Sequence, residues 1–124
     1  MYWLIMAHNV MRWVILVAAV ATLAGALAAG KKAADGWAGR AAQAYTVALD
    51  VQVLIGLVIW LLRSGWNHDA FLAFIHPGTM ILAMLVAHFG RTLQKRSVPV
   101  GGFVAFLVSL VLVIAAIPRW AWPV

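Results

Sequence analysis

The ionisable residues His8, Arg12, Asp50, His76 and His88, with Gln52 as a neutral companion, lie inside otherwise apolar stretches of this 124-residue chain. Ionisable groups in such surroundings are costly to keep, so each is a candidate for function. His8 lies five residues into one apolar stretch and His76 six residues into another. If both stretches are helices that enter a layer from the same side, the two imidazoles lie at one level, ~8 Å below the boundary at 1.5 Å per residue. Two histidines at matched depth on different helices suit the two axial positions of a b-type haem. Neutral imidazole binds iron well, and an apolar pocket tunes its potential. Met80, four residues after His76, shares its face and would line that pocket or substitute as a ligand. The alternative for His8 and His76 is structural, as hydrogen-bonding glue across helices or contacts at the headgroups.

Arg12 lies one turn below His8 on the same face. It and Asp50 are each about nine residues in from opposite ends of their stretches. They are therefore expected to meet near the midplane as a buried, charge-neutralising ion pair. The functional alternative for Arg12 is a partner for a haem propionate or a step in a proton relay. Gln52 is two residues from Asp50 and points to nearly the opposite side, sharing a face with Gly56 as a marker of close helix contact. His88 is twelve residues beyond His76, hence ~18 Å further along the helix and rotated by ~120°, too far to ligate the same iron. With Arg91 one turn on, it is a candidate for a quinone head group or a lipid phosphate; the alternative is an interfacial histidine beside a snorkelling arginine. Pro77-Gly78 either kinks the helix after His76 or opens it. His68 reads as a solvated loop histidine, with a surface metal role as its alternative.

The elements that must position these residues follow from composition. Hydrophobic residues make up 66% of the chain and charged ones 10%, with mean hydropathy +1.01, against about 25% charged in soluble domains. Apolar stretches at about 3–29, 41–62, 70–90 and 100–117 each approach the ~20 residues that span a bilayer as a helix. They are continuously apolar, not alternating, which argues against a β-barrel. The expected fold is all-α: a single integral membrane domain, an up-down-up-down four-helix bundle with short connections. The amino end lacks a basic region and its apolar run is too long for a cleaved signal, so retention as an anchor is expected.

Charge distribution sets the expected orientation. Lys31, Lys32, Arg40, Arg91, Lys95 and Arg96 fall on one side, against Arg63 and Arg119 on the other. Both termini are therefore expected outside, with Trp3, Trp66, Trp120 and Trp122 as an outer aromatic belt. The net charge of +6 sits mainly in short connections and is not interleaved on one face, which argues against nucleic-acid binding. With no cysteine, disulfides and thiolate metal sites are excluded. No nucleophile–base pair, carboxylate dyad or phosphate-binding glycine loop stands out, nor the paired broken helices of a transporter.

Four motifs carry a resemblance: His8-Asn9-Val10-Met11-Arg12-Trp13, Asp50-Val51-Gln52 through Gly56, His76-Pro77-Gly78-Thr79-Met80, and Ala87-His88-Phe89-Gly90-Arg91. Over nearly its whole length the chain resembles small four-helix bacterial membrane proteins labelled cytochrome b-like. The resemblance implies a place in the bacterial cytoplasmic membrane, beside respiratory or photosynthetic electron-transfer chains, with other subunits of a larger redox complex as partners; the quinone candidate rests on His88 and Arg91. The leading expectation is a subunit with one haem b between His8 and His76. The alternative is a haem-free accessory subunit that stabilises assembly or a quinone or lipid site. A non-catalytic role is favoured over an enzyme in its own right, because little mass lies outside the helices.

Overall fold

A bilayer offers backbone amides no partner, so an apolar segment that crosses one must satisfy its hydrogen bonds within itself, as a helix does. The computed structural model describes residues 2–118. It contains α1 (Tyr2–Ala29), α2 (Gly36–Leu62), α3 (His76–Lys95) and α4 (Pro99–Ala116), with no strand among the described residues. A short 3-10 turn, Gly30–Lys32, follows α1, and a π-helical turn, Phe71–Ile75, runs directly into α3. With those extensions, all four helices are long and apolar enough to cross a membrane. This is the expected all-α, multi-pass bundle.

Two boundaries differ from the apolar stretches. α2 starts at Gly36, five residues before Ala41, and α3 continues to Lys95, five past Gly90. Helix propagation adds one hydrogen bond per residue, and Ala, Arg, Gln, Leu and Lys favour it, so a helix outlasts its apolar run. Asp35, in an extended conformation at the N-cap, accepts the Gly39 N–H at its carbonyl. α3 stops where Ser97 adopts a left-handed φ of 58°. There the Val98 N–H turns back to the Leu93 carbonyl at 2.9 Å, and Pro99 opens α4 where its missing N–H costs nothing.

α1 packs chiefly on α2 and α3 on α4, and α2–α3 and α1–α4 contacts join the two pairs. Alanines 42, 83 and 87 are fully buried and let the backbones approach. Among them sit the large buried side chains Ile15, Tyr45, Leu49 and Phe106. The Tyr45 hydroxyl lies 2.7 Å from Ser109 Oγ, which in turn donates to the Ala83 carbonyl at 2.8 Å. Since the Ser109 proton is committed to that carbonyl, Tyr45 donates to Ser109. One chain of two bonds thus ties α2, α4 and α3.

The Pro77 question resolves as a continuous but locally widened helix. Pro77 has no N–H for the carbonyl of Ala73, its i−4 neighbour. That carbonyl instead accepts the Trp60 indole N–H at 2.9 Å, and the turn before His76 is π-helical, the kind of irregularity that recurs at functional sites. Trp60 in turn lies edge-on to Trp66, with ring centres 5.2 Å apart. Trp60→Phe keeps the ring but removes the donor, leaving a buried carbonyl short of a partner. It is expected to lower stability by about 1 kcal/mol, read as a shift in the unfolding midpoint in mixed micelles. Of the residues expected at the aromatic and basic border, Trp3 is 78% exposed at the start of α1; Arg119, Trp120 and Trp122 lie outside the described residues.

Candidate functional site

A cavity of about 350 Å³ lies between the helices and reaches the end of the bundle that carries the α2–α3 connection. That volume falls within the range of small-molecule sites. His8 and Arg12 from α1, Gln52 and Gly56 from α2, and His76 and Met80 from α3 all line it. Every residue expected around a shared histidine level therefore faces one space.

α4 orients His76. The His76 Nδ1 lies 2.7 Å from the carbonyl of Ala116. A carbonyl can only accept, so Nδ1 carries a proton, and in the neutral ring Nε2 is then the nitrogen with the lone pair. This is the arrangement by which a metal-binding histidine is usually aimed and made more basic. α2 orients His8. Gln52 donates to the His8 carbonyl at 2.7 Å. One turn on, Gly56 leaves room for the imidazole: a Cβ there would sit 3.1 Å from His8 Cε1. The Gln52–Gly56 face is a close helix contact, and what it contacts is His8. The two imidazole rings then stand 6.1 Å apart, centre to centre, with their planes at 76°.

Three buried polar atoms in this cavity have no hydrogen-bond partner: His8 Nδ1, Arg12 Nε and Gln52 Oε1. An unpaired buried polar group costs about 1–3 kcal/mol, and native proteins rarely collect several in one place without a guest or ordered water to meet them. Arg12 otherwise has the face of Trp13, with its Cζ 5.2 Å from the ring centre. Met80 is buried at 8% exposure on the His76 face.

Because the notch at Gly56 admits the His8 ring, Gly56→Val should push that ring out of line. The expected result is a changed imidazole nitrogen shift for His8, with His88 unchanged, in solid-state spectra of ¹⁵N-histidine protein in lipid.

The expected Arg12–Asp50 ion pair is not formed. Asp50 Oδ1 instead accepts from His88 Nε2 at 2.7 Å. The reason is helical register. Gln52 takes the side of α2 that faces α1, and a residue two positions away lies about 200° round the helix. Asp50 must therefore face α3. The expected pairing of His88 with Arg91 on one ligand also divides, because Arg91 donates to Gln94 Oε1 at 2.8 Å while His88 turns to Asp50.

Sequence reasoning passed over Ser109, a lone hydroxyl in an apolar helix, and Trp60, the donor that compensates Pro77. Arg63 and His68, read as connection residues, also line the mouth of the cavity; His68 is exposed there. No family model, curated protein or solved structure matches the chain.

Proposed function

We propose that the chain is a cytochrome b-like electron-transfer subunit of a respiratory or photosynthetic membrane complex, and that it holds one haem b between His8 and His76. The observation that carries this reading is the pair of imidazoles from two helices, with ring centres 6.1 Å apart, that line one cavity. Metal–imidazole bonds of about 2 Å on each side of one ion bring two ring centres to about 6 Å. His76 presents Nε2 in the tautomer that binds metal, because Ala116 holds the proton on Nδ1.

When bound, the haem supplies reversible one-electron transfer. The protein's own residues do the rest. Gln52 and Gly56 fix the turn and the space of His8, the Ala116 carbonyl fixes His76, and Met80 contributes an apolar, polarisable wall. Arg12, with an unpaired Nε in the cavity, would meet a carboxylate of the haem. Basic residues in the α1–α2 and α3–α4 connections favour the cytoplasm for that end of the bundle, in a bacterial cytoplasmic membrane, with both termini outside.

The test is the visible spectrum of the chain purified in mild detergent. The expected result is a dithionite-reduced α band of b type at about one haem per chain. Purification of folded chain that neither carries haem nor takes it up on addition would overturn the proposal.

A further inference from the structure

The Asp50–His88 pair lies on the outside of the bundle, away from the cavity. Its side chains are 45% and 49% exposed. Asp50 is near the middle of α2, about 21 Å from Gly36 and about 18 Å from Leu62 at 1.5 Å per residue. Val47 and Leu54 on α2 and Leu85 on α3, each one turn away on the same faces, are apolar and exposed; the next turn of α3 towards its C-terminus carries the polar Arg91 and Thr92. In a helix that crosses a bilayer, the apolar part of such a surface faces hydrocarbon. A carboxylate and an imidazole at that depth are costly and mark a site for something that uses them. Their mutual bond occupies one atom of each, leaving Asp50 Oδ2 and His88 Nδ1 with capacity to spare.

We propose that this pair binds the head group of a lipid-soluble quinone or quinol that enters sideways from the bilayer. The ligand must partition into hydrocarbon and carry a head group that both donates and accepts hydrogen bonds. A quinol hydroxyl donates to Asp50 Oδ2 or to Nδ1 of neutral His88. A quinone carbonyl accepts from Nδ1–H of the imidazolium, whose charge Asp50 balances. The step is binding alone, and no bond breaks. A lipid phosphate fits poorly, since Asp50 would repel it and Arg91 is engaged by Gln94. The Thr92 hydroxyl does not compete, because it donates to the His88 carbonyl. The site needs no haem at His8 and His76, so the two proposals fail separately.

The experiment uses full-length protein in lipid nanodiscs and an azido-benzoquinone with a decyl tail as photolabel, competed by unlabelled decyl-ubiquinone. Labelled positions are read by mass spectrometry. The expected result is saturable labelling on α2 and α3 around Asp50 and His88. Asp50→Asn and His88→Gln should each weaken it about tenfold, the order expected for one hydrogen bond to a charged group. Both variants keep polar side chains of similar size, and retained helicity by circular dichroism certifies their fold. Labelling that is not competed, that survives both substitutions, or that concentrates on the His8 cavity overturns the site. So does photocrosslinking in native membranes that finds another protein's helix seated on the pair.

Discussion

His76→Ala is expected to abolish the bis-histidine b-type spectrum of the purified protein outright, and His8→Ala to do the same. Each substitution removes one of the two rings whose centres lie 6.1 Å apart; of the other two histidines, His88 is bound to Asp50 and His68 is exposed at the mouth of the cavity. Met80 lines the cavity, so a weaker, shifted spectrum from His–Met ligation is the most that His76→Ala could retain. Added imidazole should restore part of the band in either alanine variant, because the cavity left by the ring admits it. His88→Ala is the control and should leave band and stoichiometry unchanged. A full-strength, unshifted spectrum in either His8→Ala or His76→Ala would refute the axial assignment. Arg12→Ala tests the cavity's other unpaired group. Loss of a charge-assisted contact to a haem carboxylate should weaken haem retention by about tenfold or more without changing the ligand field.

The second large effect concerns stability. Tyr45 is fully buried, stacks edge-on against Phe106 with ring centres 6.2 Å apart, and starts the hydrogen-bond chain through Ser109 to Ala83. In water-soluble cores, truncating a large aromatic to alanine costs about 3–5 kcal/mol. In a bilayer the unfolded helices stay in hydrocarbon, so the transfer part disappears and the cavity and lost packing remain. Tyr45→Ala should therefore cost about 2–3 kcal/mol. Tyr45→Phe removes only the hydroxyl and should cost under about 1 kcal/mol, in line with hydrogen bonds between membrane helices. Ser109→Ala should exceed Tyr45→Phe, because it strands both the Tyr45 hydroxyl and the Ala83 carbonyl. Unfolding in mixed micelles, followed by circular dichroism, ranks the three. If Tyr45→Phe matched Tyr45→Ala, packing would not be the dominant contribution.

Asp50 shows most plainly how far the sequence could be read. Its depth follows from residue counting, because the helical rise is constant, and that depth allowed a pair with Arg12. The same counting places Gln52 nearly opposite Asp50. What counting leaves open is the angle at which α2 is rotated against its neighbours. Once Gln52 bonds to the His8 carbonyl, Asp50 is carried round to His88. Trp60 is a similar case. Pro77 announces a carbonyl without a donor, but the donor comes from another helix.

The sequence by itself determined that the described chain is four apolar helices, with His8 and His76 at one level. Backbone hydrogen bonding in hydrocarbon admits little else, and rise per residue converts position into depth. Only the tertiary structure decided which side chains meet: Asp50 with His88, Tyr45 with Ser109, Trp60 with Ala73, and Gly56 against His8. Those contacts depend on the rotation and close approach of whole helices. These are set by small residues and a few hydrogen bonds spread along every interface, not by any local pattern in the chain.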